Sequence, residues 1–208
     1  KMFPDLFHSN RVLRVDDYPT RLLQTLMSLA PKKCDSSVPT VVLLTPGHLN
    51  SAYYEHTFLS DQMGIEMVEA QDLFVENDFL YMKTVDGPKK IDVVYRRIDD
   101  DYLDPLAYNP NSVIGVPGIT HVYKTGGVNI CSAPGAGIAD DKAVYIYVPE
   151  MIKFYLGETP ILDNVQTWRC ERDDDLKYVL ENIDELVIKE VDGSGGHGML
   201  IGPKSTKQ

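Results

Sequence analysis

Leu186-Val-Ile-Lys-Glu-Val-Asp-Gly-Ser-Gly-Gly-His-Gly-Met-Leu-Ile201 opens as a β-branched run, crosses a loop with four glycines in six positions, and closes on another apolar run. That order reads strand, flexible loop, strand. A Walker A loop would end Gly-Lys-Ser/Thr and open a helix, and a dinucleotide fingerprint would also run into a helix. Met199-Leu200-Ile201 is too short and apolar to start one before Gly202-Pro203. A glycine loop between two strands can fold over phosphates as a lid, because backbone N–H groups without side chains form anion-binding nests. It can equally be a plain hairpin turn.

Along the first strand, side chains alternate faces. Leu186, Ile188 and Glu190 are expected on one face, with Val187, Lys189 and Val191 on the other. A lysine between two valines either snorkels from a surface or points into a cleft where a polyanion offsets its charge. The residues alone leave both open.

Upstream, Arg21 to Ala30 carries leucines at helical spacing and ends at Pro31, and a polar linker runs from Lys32 to Pro39. Thr40-Val-Val-Leu-Leu44 is the continuous apolar strand of a parallel sheet buried on both faces. Asn50-Ser51 can cap a helix reaching Met63, Gly64 ends it, and Ile65 to Val68 is the next strand. This β-α-β order opens a doubly wound sheet. Leu73 to Glu76 and Phe79 to Lys83 flank Asn77-Asp78 as a hairpin, and Ile91 to Tyr95 returns as a core strand. Asp104-Pro105 is expected to start a helix. Val128 to Cys131 forms a short strand, and Ala133 to Gly137 a boundary loop. Asp140 is expected to cap a helix through Val148, followed by helices over Glu150 to Leu156 and Asp174 to Asn182.

The expected fold is therefore α/β, a doubly wound and mostly parallel sheet followed by part of an α+β subdomain. Its divisions are an N-terminal helix and linker (1–37), the α/β domain (38–135) and the partial subdomain (136–208).

Net charge is −11, with 20 Lys and Arg against 31 Asp and Glu. That excludes a broad phosphate-binding surface for nucleic acid or an anionic membrane, so any phosphate site is a local basic spot. Cys34, Cys131 and Cys170 are odd in number and widely spaced, which suggests neither a disulfide framework nor zinc and favours the reducing cytoplasm. No apolar run is long enough to span a membrane. The chain begins at Lys1 without methionine and stops seven residues after Ile201, so it is expected to be a piece of a longer protein.

Three further clusters bear on chemistry. Tyr95-Arg-Arg-Ile-Asp-Asp-Asp101 ends a core strand, where open α/β sheets bind ligands. Arg96 and Arg97 could grip a carboxylate or phosphate, oriented by Asp99; the alternative is a salt-bridge network. His48, Glu55 and His56 match no zinc spacing. Lys142, in the first turn after Asp140-Asp141, faces the unfavourable end of a helix dipole. The two aspartates offset that cost most simply; a bound phosphate would do the same. His197 is taken as an exposed loop residue, and Ser194 lacks the strand-to-helix elbow of a nucleophile.

Leu44-Thr-Pro-Gly47, Asn50-Ser-Ala-Tyr-Tyr-Glu-His56, Tyr95-Arg-Arg-Ile-Asp-Asp100, Leu103-Asp-Pro105, Gly115-Val-Pro-Gly118, Ala139-Asp-Asp-Lys-Ala-Val-Tyr145 and Lys189 to Gly198 together closely resemble the circularly permuted ATP-grasp proteins. These are bacterial proteins of largely uncharacterised role, often described as glutathionylspermidine-synthase-like. The resemblance runs from Pro39 to Pro203 and makes the sheet a pre-ATP-grasp-like domain. It implies that ATP is clasped between two α+β subdomains, with two lysines on its phosphates. Lys142 and Lys189 match those positions, and Gly193, Ser194, Gly195, Gly196 and Gly198 form the lid. The resemblance thus reverses the simpler reading of Lys142.

The implied chemistry is ATP-dependent activation of a carboxylate as an acyl-phosphate, attacked by an amine, with Mg2+ bridging the phosphates. Arg96, Arg97 and Asp99 would be substrate grips. Family members are longer: an acidic metal-binding segment precedes this region, and the rest of the nucleotide cleft follows it. No metal ligand is therefore expected here, and the piece is expected to be inactive alone, with an open strand edge near Glu185 through which two chains could pair. The rival readings are a non-catalytic nucleotide- or anion-binding scaffold that kept the fold, and a stand-alone domain binding an anion through Arg96 and Arg97.

Overall fold

Strand β1 (Val41–Leu44) is apolar throughout and buried at every position, so both faces of its sheet must be covered. In the computed structural model, which describes residues 3–10, 12–13, 15–193, 195–196 and 198–205, this strand is central to the first of two compact units, Lys1–Pro134 and Gly135–Gln208.

In the first unit, β1 leads through a loop into helix α3 (Tyr53–Met63), which closes on Gly64 in the left-handed region at φ 66°. The next strand, β2 (Glu66–Val68), pairs parallel with β1, Leu44 opposite Val68. Strand β6 (Val93–Arg96) lies on the other side of β1, Leu44 opposite Arg96, and β7 (Asn129–Cys131) completes the parallel order β2-β1-β6-β7. Between β2 and β6 the chain makes an antiparallel sheet of β3 (Leu73–Glu76), β4 (Phe79–Thr84) and β5 (Gly87–Ile91). The β3–β4 turn places Asn77 and Asp78 at φ 48° and 63°, the positive pair that a two-residue type I′ hairpin needs.

The two faces of the parallel sheet are covered differently. Val41, Leu43 and Val93 pack with Leu26 of α2 (Tyr18–Ser28) and Met63 of α3. Val42, Leu44, Val94 and Ile130 pack with Leu73, Leu80, Met82 and Ile91 of the antiparallel sheet, and with Ile119 and Val122 of α5 (Ile119–Lys124). The architecture is mixed α/β, a parallel sheet joined by antiparallel ones. Helix α2 belongs to this core through Leu26, while α1 (Pro4–Ser9) buries no residue.

Asp104 does not start a helix, contrary to the expectation. A short α4 (Asp100–Leu103) ends there instead, and the Asp104 side chain is 1% exposed. Its carboxylate accepts the N–H groups of Leu106 (2.9 Å), Gly118 (3.0 Å) and Thr120 (3.0 Å). Three converging donors outcompete a local cap, and two of them are at the start of α5. Pro105 then turns the chain rather than opening a helix.

In the second unit, a 3-10 turn (Ala136–Ala139) precedes α6 (Lys142–Tyr145). Asp141, not Asp140, is its cap, accepting from Ala143 (2.7 Å) and Val144 (3.0 Å) N–H. The expected helix through Val148 divides near Ile146, and α7 (Val148–Leu156) follows with Pro149 in its first turn and Gly157 at φ 69° closing it. Helix α8 (Asp173–Glu181) buries Val179. Strands β8 (Val187–Ile188) and β9 (Leu200–Ile201) pair antiparallel, Val187 opposite Ile201. Among the described residues, Val179 is the second unit's only buried apolar side chain.

Candidate functional site

The glycine loop gathers its site from residues far apart in sequence. Lys142 stands in the first turn of α6, anchored where its backbone N–H donates to the Val191 carbonyl (3.1 Å). Its ammonium donates to the carbonyls of Gly193 (2.5 Å) and Val191 (3.3 Å), across about fifty residues of chain. It thereby meets the end of the Lys189 strand. A cleft of about 170 Å³ results, lined by Lys142, Lys189, Glu190, Gly193, Gly195, Gly196 and Met199. The cleft therefore presents two lysines and the Glu190 carboxylate beside glycine backbone.

Gly195, Gly196 and Gly198 all have positive φ, at 62°, 82° and 63°, a conformation that disfavours other residues. A Cβ at Gly198 would sit 2.2 Å from Glu190 Cδ, so this glycine packs directly on the Glu190 side chain. Glu190 was expected on the face opposite Lys189, yet both line the cleft. The reason is local: β8 ends at Ile188, so strict alternation stops before either residue. Ser194 and His197 lie outside the described residues.

At the end of β6 the two arginines part. Arg96, 7% exposed, donates through Nε to Ser132 O (2.7 Å), through Nη1 to Ile98 O (2.6 Å) and through Nη2 to Ala133 O (3.2 Å). It also pairs with Asp100 at 2.8 Å. Its guanidinium ties three loop carbonyls to the sheet. Arg97 faces the other way and is exposed, its guanidinium 5.9 Å from the centre of the Tyr95 ring. Asp99 is exposed and makes no side-chain cap at the start of α4. The structure therefore does not gather Arg96, Arg97 and Asp99 into one grip.

Behind Arg97 lies a buried polar pair. His56, 1% exposed, shares a hydrogen bond between Nδ1 and Thr45 Oγ1 (2.9 Å), and Thr45 Oγ1 accepts the Gly47 N–H (3.2 Å). Burial, aided by the Arg97 charge and opposed by Glu55, lowers the His56 pKa below the ordinary histidine value. Among the described residues, no group of three or more His, Cys, Asp or Glu side chains is placed to hold a metal ion, and no helix is long and apolar enough to cross a membrane.

The parallel sheet, the antiparallel ones and the strand–glycine loop–strand define a mixed α/β fold of the ATP-grasp type. The chain belongs to the circularly permuted ATP-grasp family, whose sequence model, "A circularly permuted ATPgrasp", matches residues 1–208. It is 51% identical over 206 residues to an uncharacterized protein of Synechocystis sp., covering 99% of this chain and 42% of that protein. It is 50% identical over 208 residues to an uncharacterized protein of Mycobacterium tuberculosis, covering 100% of this chain and 37% of that one. A Frankia alni protein provisionally named glutamate–cysteine ligase 2-3 is 40% identical over 202 residues, covering 97% of this chain and 23% of its own length. The chain thus spans well under half of each of these relatives.

Proposed function

We propose that these residues form part of an ATP-dependent ligase that joins a carboxylate to an amine. The observation that carries this reading is the meeting of Lys142 and Lys189 in one cleft beneath the glycine loop. Family membership and the provisional ligase name of the Frankia relative support it.

The cleft's donor set fits a polyphosphate. Lys142 and Lys189 would offset its charge, and the positive-φ glycines Gly195, Gly196 and Gly198 would turn backbone toward it. ATP would supply the phosphoryl group that makes a carboxylate reactive. Mg2+ would be held by the bound phosphates and by carboxylates elsewhere in a longer protein, and these 208 residues alone would bind nucleotide without turning it over. Three widely spaced cysteines that form no disulfide with one another suit the cytoplasm. The outer edges of the two-stranded β8–β9 sheet are where two copies would pair.

Calorimetric titration of Mg·ATP into the protein and its Lys189→Ala variant tests the reading. Loss of one cation from the cleft should weaken binding about tenfold or more, the scale of a charge-assisted hydrogen bond. Equal affinity in a folded variant would return the cleft to a surface hairpin.

A further inference from the structure

The first unit leaves two complementary apolar surfaces unused. Helix α1 has Phe3 at its N-cap, with Leu6 and Phe7 three and four residues on, so these three share one face while Asp5 and His8 take the other. Phe3, Leu6 and Phe7 are 59, 57 and 52% exposed, and α1 buries no residue. A six-residue helix is too short to hold itself in water. Packing of its apolar face must stabilise it, and within the single chain that face packs on nothing.

The second surface is a groove of about 390 Å³ at the amino ends of β1 and β2. Leu23 and Met27 of α2 line it together with Val38 and Ile65, which precede β1 and β2, and Glu66 and Lys89 stand beside them. Leu23, Met27 and Ile65 are half-buried and pack on the core beneath, whereas Val38 is 64% exposed. No residue of α1 lines this groove, so one chain keeps its helix and its groove apart.

We propose that two copies of this chain associate by exchange, the apolar face of α1 from each copy seated in the groove of the other. Anchors at i, i+3 and i+4 are the pattern by which an amphipathic helix fills an apolar groove, and swapping an identical element gives a closed two-fold pair. The areas favour exchange over a one-way contact. Half-exposed, Phe3, Leu6 and Phe7 offer on the order of 350 Å² per helix. One helix in one groove would bury about 700 Å², short of a stable interface. Two helices in two grooves bury on the order of 1,400 Å², within the range of about 1,200–2,000 Å² that specific interfaces need. This pairing uses neither the lysine cleft nor the β8–β9 edge.

Analytical ultracentrifugation over a series of concentrations reads the association, and the wild type should dimerise. Phe7→Glu and Val38→Glu alter exposed positions, so each should leave circular dichroism unchanged. Each should also weaken the dimer about tenfold or more, because a lone carboxylate would be buried at the contact. Mixing the two variants should restore part of the association, since the intact α1 of one then meets the intact groove of the other. A wild type that stays monomeric, with α1 on its own groove or free, would overturn the proposal. A dimer that both variants leave intact, as the β8–β9 edge would give, overturns it equally, and so do variants that fail to complement on mixing. Mg·ATP binding is read separately, so the ligase reading stands or falls on its own.

Discussion

The two units solve the problem of burying apolar surface in opposite ways. The first encloses a sheet between two apolar clusters, with Leu43, Leu44, Val94 and Ile119 wholly buried. The second buries Val179 and leaves Phe154, Tyr155 and Leu156 of α7 at 81, 77 and 65% exposure. Burial of apolar surface is the dominant favourable term in folding, so the first unit has the larger apolar core of its own, while in the second the lysine cleft is held largely by hydrogen bonds such as those of Lys142 and Asp141. A cleft can thus be held on a unit that contributes little core of its own.

The sharpest way to break this contrast is to delete apolar groups on each side. Leu43→Ala leaves a cavity in the middle of the sheet and should cost about 2–5 kcal/mol. Phe154→Ala removes a larger side chain yet should change stability by no more than about 0.5 kcal/mol, as for surface positions generally. Denaturant titration of both variants measures the difference. Comparable losses would mean that α7 is packed against something, and the contrast would fall.

A smaller effect is expected where the first unit relies on polar rather than apolar contacts. Asp104→Ala orphans the buried N–H of Thr120 and the part-buried N–H groups of Leu106 and Gly118. Stranding the buried donor costs about 1–3 kcal/mol, and water can reach the other two. The loss should fall below that of Leu43→Ala, with hydrogen exchange accelerated first at the start of α5. Uniform acceleration would show that Asp104 supports the whole unit rather than one junction.

The sequence announces what local chemistry decides. Continuous apolar residues mark β1, and Asn77-Asp78 marks its hairpin, because a pair of positive φ angles tolerates few residue types. Strand β5 is silent because Gly87-Pro-Lys-Lys-Ile91 has no apolar alternation; at the edge of the order β3-β4-β5 it can carry Pro88 without breaking a central ladder. Helix α5 is also silent: Ile-Thr-His-Val-Tyr-Lys reads as β-branched, and the Asp104 carboxylate that meets its first turn comes from another segment. Of the candidate site, the glycine loop is legible from composition alone. The pairing of Lys142 with it came from family resemblance, since no spacing rule links residues that far apart. The opposite fates of Arg96 and Arg97 depend on the Ser132 and Ala133 carbonyls, which only the fold brings near.

The subtlest test concerns His56, buried against Thr45 in the first unit. Its folded pKa is lowered, first by burial and then by the Arg97 charge. In the unfolded chain it titrates at about 6.5. As pH falls below that value the unfolded state takes up a proton that the folded state resists, so stability present above it is progressively lost. Other groups titrate in the same range, and a single pH profile cannot isolate this one. The comparison is with His56→Gln, which retains a hydrogen-bonding side chain toward Thr45 but has no proton to take up. The variant should start less stable at pH 7.5 and lose less than the wild type on going to pH 5.5, measured by thermal unfolding. Parallel losses would mean that water reaches the imidazole in the folded protein, and that its burial is not what lowers its pKa.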